Sequence, residues 1–197
     1  MTERAIIAAL LAAGRASRFG GGKLDAPCAG KRLALWAIEA VRDAGFSPGL
    51  CVTGPEEPCF LCEAPGWQRV VNPLLEHGLA GSLAAAAREG ERRGAAALLI
   101  VLADMPLVTP ALLRDLAARA GPAATDHGGG RPGVPALIPA ALFPALMASQ
   151  GDRGASALLA AQPGLALVQP PGAALLDVDT PADLARAEAL LAARESR

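Results

Sequence analysis

The 197-residue chain has little of what marks several large protein classes. Its formal net charge is -1 at pH 7, so nothing global argues for a nucleic-acid or membrane-surface partner. No apolar run reaches the ~20 residues a spanning helix needs. That holds although 52% of the residues are hydrophobic, because 46 of them are Ala and Gly, Pro and Arg break the blocks. Tyr is absent and aromatic residues make up 3%, but Leu, Val and Ile recur in ordered blocks at low charge, which excludes disorder. Four cysteines, Cys28, Cys51, Cys59 and Cys62, are too few in a chain of this length for a disulfide scaffold. Cys59 and Cys62 form a CxxC, yet no second CxxC or adjacent His completes a zinc or redox motif, so ordinary thiols near a loop are expected. Lysine is the scarcest charge: Lys23 and Lys31 stand against 16 Arg.

What is present is an alternation of apolar and amphipathic blocks, without repeats, linkers or a low-complexity tail. The length suits one domain over residues 1–197 with a core of its own. Ala5–Leu11 reads as a buried strand ending at Gly14 rather than as a secretory leader. Further strands are expected at Leu50–Thr53, Arg69–Val71, Ala97–Leu102, Val134–Pro139, Leu165–Gln169 and Leu175–Val178. Helices are expected at Leu33–Ala44, Leu79–Arg93, Pro110 to about Ala120, Ala140–Met147 and Ala155–Ala161, with a last one from Pro181. Glu56–Gly66 reads as a loop, and Thr125–Gly133 as a glycine-rich hairpin or loop. Thr109-Pro110 and Thr180-Pro181 each pair a capping residue with Pro at the first helical position. The alternation predicts an α/β fold with a mainly parallel sheet and right-handed crossovers.

The informative segment runs from Leu11 through Ala12, Ala13, Gly14, Arg15, Ala16, Ser17, Arg18, Phe19, Gly20, Gly21 and Gly22 to Lys23. It follows a strand, where α/β folds place their ligand crevice. It is not a Walker A loop, since Ser17 stands where the first Gly belongs and Leu24 follows the Lys. Nor is it a GxGxxG fingerprint. Glycine N–H groups beside Arg15, Arg18 and Lys23 point to a polyphosphate. Asp104 follows the strongest strand and should face the same crevice. Asp177 and Asp179 end the last expected strand, and Asp183 suits the first turn of the final helix. Asp104 and Asp179 beside a phosphate loop make a hard-oxygen set suited to Mg²⁺, with helix capping as the plainer reading of each acid.

LAAGRASRFGGGK resembles the LAAGxSxRxG…K signature of nucleotidyltransferases with a GT-A-like fold. LADMP and DVDTPADL resemble the two metal-site segments of that superfamily. Asn72-Pro73 with Gly78–Leu83, Gly130–Pro135 and Gly151–Ala155 narrow the likeness to the MobA-like branch that makes molybdenum cofactor dinucleotides. The likeness runs from residue 6 to about 190. It implies a three-layer α/β/α Rossmann-like nucleotidyltransferase fold and a cytoplasmic enzyme. LAAG and GDRGA are similar to the cytidylyltransferase, whereas the guanylyltransferase has LAGG. The chain departs from the branch at Val134, where His is common, and at Asp25 and Cys28, where an apolar run is usual.

The implied reaction transfers CMP from CTP to the terminal phosphate of molybdopterin and releases pyrophosphate. The anionic nucleophile needs no base, so positioning and charge neutralisation carry the chemistry. The resemblance implies catalytic roles for Lys23, Arg18 and Asp104, and a nucleotide site of Leu11, Ala12, Ala13, Gly14, Arg15, Ser17, Gly20, Gly22, Ser82 and Asp104. Asp104 and Asp179 are the implied Mg²⁺ ligands. Ser82 is read as part of the base and sugar pocket, or as a helix cap. Asp152 and Arg153 are read as pterin contacts, or as a surface pair. A recipient molybdoenzyme or its cofactor-insertion chaperone is the implied protein partner, with neither nucleic acid nor membrane. The alternatives are a GTP-using guanylyltransferase, a transferase acting on another phosphorylated acceptor, a cofactor-carrying scaffold, and a Cys59/Cys62 metal or redox module.

Overall fold

A computed structural model describes residues 5–14, 18–149 and 154–195. The first strand, β1 (Ile6–Ala12), leads through a three-residue 3-10 turn at Lys23–Asp25 into a small hairpin of β2 (Pro27–Cys28) and β3 (Lys31–Arg32). Then come α1 (Leu33–Asp43), β4 (Leu50–Thr53) and β5 (Gln68–Val71). The helix α2 (Gly78–Arg92) precedes β6 (Ala97–Leu102) and α3 (Pro110–Ala117). The remainder comprises β7 (Ala123–Asp126), β8 (Pro132–Pro139), α4 (Phe143–Ala148), α5 (Gly154–Ala160), β9 (Ala166–Val168) and α6 (Pro181–Glu195).

Seven strands form one sheet in the order β5-β4-β1-β6-β8-β7-β9. β1 pairs in parallel with β4 and β6, β4 with β5 and β7 with β9, while β8 runs antiparallel to both β6 and β7. The pleat sends alternate residues to opposite faces. Ala8, Leu10, Leu99 and Val101 pack with α1 and α3 on one face, and Ala9, Leu11, Leu98 and Ile100 pack with α2, α4 and α5 on the other. Both faces are covered, which is why β1 and β6 read as continuous apolar runs. The fold is therefore the expected α/β/α arrangement with a mostly parallel sheet. A third apolar group, including Cys28, Leu33, Leu107, Val178, Ala187 and Leu191, seats α6.

Two local expectations change, and one open alternative is decided. Leu175–Val178 is not a strand. Turns close Pro171–Ala174 and Ala173–Leu176, and the chain then crosses the end of the sheet on one bond, Val178 N–H to the Asp104 carbonyl at 3.0 Å. Its apolar residues reported burial, not strand pairing. Of the hairpin and loop readings of Thr125–Gly133, the hairpin holds: Thr125 and Asp126 belong to β7, which runs antiparallel to β8. The helix expected at Ala140–Met147 opens as a 3-10 turn over Ala140–Leu142, and the α-helix starts at Phe143 with Pro144 in its first turn. The other expected strands and helices stand with boundaries moved by a few residues, while the β2–β3 hairpin and the 3-10 turn Cys59–Glu63 carry no signal in the sequence pattern. Thr109 caps α3 by accepting from Leu112 N at 3.2 Å. Thr180 and Asp183 form a reciprocal cap at the start of α6.

Candidate active site

The register decides what meets. Leu11 pairs with Leu102 and Ala12 with Thr53, so β1, β4 and β6 end at one level. Ala103 N–H reaches the Leu11 carbonyl at 3.0 Å, which carries the β1/β6 register one residue further. Gly14, Gly54 and Asp104 thus lie along the carboxyl edge of the parallel strands. Asp104 is held between buried Ala103 and Met105, which turns its carboxylate outward. Asp177 and Asp179 flank buried Val178, and both carboxylates line the same cleft as Asp104. Extended chain places alternate residues on one side, so burying Val178 presents the two acids together.

Lys23 arrives from the other direction. Gly20, Gly21 and Gly22 take φ values of 91°, 100° and 60°, a left-handed run that side chains would strain. The 3-10 turn after them buries Lys23 to 6% exposure. Its Nζ donates to Asp104 Oδ2 at 2.7 Å and to Asp179 Oδ1 at 3.2 Å. Burial by itself would lower the ammonium pKa, but the charge and hydrogen bond of Asp104, then those of Asp179, outweigh it and raise it above the usual value. Asp177 lines the cleft with its side chain exposed to water, and the surrounding protein desolvates it only in part. That desolvation, then the negative charges of Asp104 and Asp179, pushes its carboxyl up to about 7. Arg18 is exposed and pairs with Asp179 at 3.8 Å.

Two clefts share Ala13, Gly14 and Leu75. The first, of about 530 Å³, is lined by Ala12, Gly22, Lys23 and Asp25 on one wall and by Gly54–Cys59 on the other. The second, of about 640 Å³, holds Leu11, Ser82, Asp104, Asp177 and Asp179. The Lys23 ion pairs stand between them. Ser82 is not a helix cap: it sits inside α2, buried, and accepts from Asn72 Nδ2 at 3.2 Å. Gly20 and Arg18 line neither cleft. Arg15, Ser17, Asp152 and Arg153 lie outside the described residues.

Other residues enter that sequence reasoning did not assign. Asp177 is the third acid of the second cleft; its i, i+2 spacing to Asp179 was the available signal. Arg69 ties down the Gly54–Glu57 wall, donating to Thr53 Oγ1 at 2.9 Å and to the carbonyls of Gly54 and Pro55. Asp25, a departure from the family pattern, accepts the backbone N–H groups of Cys59 and Phe60. Cys28, another of the departures, is a buried core thiol, pushed up to about 11 by burial and Glu188.

Among the described residues no group of three or more His, Cys, Asp or Glu is arranged to enclose a metal. A Mg²⁺-type site takes one or two carboxylates and completes its shell from phosphate and water. Asp104 and Asp179, two hard oxygen ligands facing a glycine loop, fit that requirement. No helix among the described residues is long and apolar enough to cross a membrane.

The MobA-like NTP transferase domain model matches residues 8–167. The bifunctional protein GlmU of Sinorhizobium medicae (strain WSM419) is 33% identical over 126 residues, covering 62% of this chain. The chain spans about a quarter of that relative's length, 27%. Among solved structures, Rv0371c from Mycobacterium tuberculosis H37Rv superposes with a TM-score of 0.81 at 28% identity, over 96% of this chain and 100% of that one. Its manganese complex gives 0.73 at 25% identity, over 95% of this chain and 100% of that one. A nucleotidyl transferase from Methanothermobacter thermautotroptrophicus shares the fold, with a TM-score of 0.81 at 23% identity over 98% and 100% of the two chains.

Proposed function

The chain belongs to the MobA-like NTP transferase family and is a nucleotidyltransferase, and from that premise we propose that it moves CMP from CTP to the terminal phosphate of molybdopterin, releasing pyrophosphate. The observation that carries the chemistry is the Lys23 ammonium, buried at the end of the glycine loop between Asp104 and Asp179. A buried point charge there meets the α-phosphate without reorganising water, which is where electrostatic stabilisation is strongest.

In this reading the triphosphate lies along Gly14–Gly22, with base and sugar against Ala12, Ala13 and Ser82. Arg18 approaches the β- and γ-phosphates from solvent, and Arg15 and Ser17 are its near neighbours in the sequence. Lys23 leaves Asp104 and Asp179 to neutralise the α-phosphate and align the acceptor phosphate for in-line attack. Asp104 and Asp179 would hold Mg²⁺; when bound, the ion supplies charge neutralisation at the triphosphate oxygens. The acceptor attacks as an anion, so no side chain has to remove a proton. LAAG at Leu11–Gly14 supports CTP over GTP, and Gly151–Ala155 supports a pterin acceptor that is passed on to a molybdoenzyme or its insertion chaperone.

A pyrophosphate-release assay with CTP and GTP, each with molybdenum-loaded pterin, tests this. Preference for CTP is expected. Preference for GTP would reject the base assignment. Turnover with a sugar phosphate, and none with the pterin, would reject the acceptor.

A further inference from the structure

We infer that Cys59 and Cys62 form a dithiol modification site, which a small disulfide closes to an intramolecular bridge and which thereby alters the ligand grip of the first cleft. Both thiols are free and exposed, and they lie three residues apart on the 3-10 turn Cys59–Glu63. One 3-10 turn is three residues with a rise of about 2 Å each, so positions i and i+3 stack roughly 6 Å apart at Cα. That lies within the range of about 4.4–6.8 Å that a disulfide spans. The other two cysteines cannot compete. Cys28 and Cys51 are buried, and burial is the main cause that holds their thiols up at about 11 and about 12.

The turn is tied at both ends to Asp25, two residues from Lys23. At its start, Cys59 and Phe60 N–H donate to the two Asp25 carboxylate oxygens at 3.1 and 2.7 Å. At its end, Glu63 accepts from Arg32 Nε at 2.5 Å, and the same guanidinium donates to the Asp25 carbonyl at 3.1 Å. Asp25 belongs to the turn Lys23–Asp25 that buries Lys23. Cys59 itself lines the first cleft with Gly22 and Lys23. Bridging draws the two Cβ atoms to about 3.5–4.5 Å, tightens the turn and disturbs the N–H groups that Asp25 holds.

The step balances as two exchanges. One thiolate attacks a low-molecular-weight disulfide and expels the first thiolate. The second cysteine attacks the mixed disulfide and expels the other. One S–S bond forms in the protein and one breaks in the oxidant; the two cysteine protons end on the two released thiols. Exposed disulfides of this kind are the reducible ones.

The bridge itself does not depend on the nucleotide reading; only its effect on affinity does. The full-length reduced protein is equilibrated with reduced and oxidised glutathione, then read by intact mass, by peptide mapping and by calorimetric CTP binding. The expected result is loss of two hydrogens, a linked Cys59–Cys62 peptide, and CTP affinity lowered by roughly fivefold or more, the low end of site-to-site coupling. Reductant restores the affinity, Cys62→Ser forms no bridge, and saturating CTP makes the dithiol harder to oxidise by the same factor. Glutathione adducts or interchain dimers in place of the bridge would overturn the site. A bridged protein that binds CTP as tightly as the reduced one would overturn the coupling. If the reduced protein bound no nucleotide, the CTP reading would fail, and the mass readout would still decide the dithiol site.

Discussion

Lys23 Nζ lies 2.7 Å from Asp104 Oδ2, although 81 residues separate them. The pair joins the glycine loop after β1 to the end of β6, and Asp179 closes it from the start of α6. One buried cation is thus held by two acids from separate segments.

Replacing Lys23 with Ala is expected to lower kcat of nucleotidyl transfer about 10²–10³-fold, or ~2.7–4 kcal/mol, as for loss of a preorganised charge stabiliser. Lys23→Arg should not restore it, because a planar fork does not substitute for a point charge between two carboxylates. Steady-state pyrophosphate release, separated into kcat and KM, checks both variants.

Chelating divalent metal is expected to abolish turnover, and re-adding Mg²⁺ to restore it. Asp179→Asn should raise the Mg²⁺ concentration needed for half-maximal rate, since two carboxylates and substrate phosphate make up such a site. Metal titration at fixed CTP reads this directly; an unchanged half-saturation would remove Asp179 from the ligand set.

Asp177 carries a pH signature. Its carboxyl is raised from 3.8 to about 7 by desolvation, then by Asp104 and Asp179. Between those values the native state holds a proton that the unfolded chain has lost, so stability falls as pH rises through that window and is flat above it. Thermal unfolding of Asp177→Asn should lack that decline, making the variant more stable relative to the parent at pH 8 than at pH 5.

Gly81 lies inside α2, where Ala would normally gain about 1 kcal/mol of helix propensity. Here a Cβ would stand 2.4 Å from the Leu74 carbonyl oxygen and 3.1 Å from Asn72 Nδ2. Backbone cannot yield as a side-chain end does, so Gly81→Ala should destabilise by about 1–3 kcal/mol, the cost of overpacking. Urea denaturation measures it, and a gain in stability would contradict the packing.

Much of this was legible before folding. Two-sided burial wrote β1 and β6 as apolar runs, and Thr-Pro caps marked α3 and α6. Asp183 was read as serving the last helix, and it does. Hairpin and loop both stay open for Thr125–Gly133 in the sequence, because its glycines and polar side chains carry no strand pattern; pairing of Thr125 and Asp126 with β8 decides for the hairpin. Leu175–Val178 misled for the converse reason: apolar residues report burial, and Val178 is buried by α6 and Leu107 without strand pairing.

Local chemistry in the sequence by itself determined the elements, the α/β alternation and the identity of the charged groups, since caps, glycine turns and apolar periodicity act over a few residues. Only the tertiary structure decided that Lys23 is buried between Asp104 and Asp179, that Asp177 joins them, and that Asp25 grips the Cys59–Glu63 turn. Those contacts depend on the common register of β1, β4 and β6 and on the crossing of residues 177–179 over the sheet's end. Register and crossing come from packing the whole core, and no window of neighbouring residues contains them.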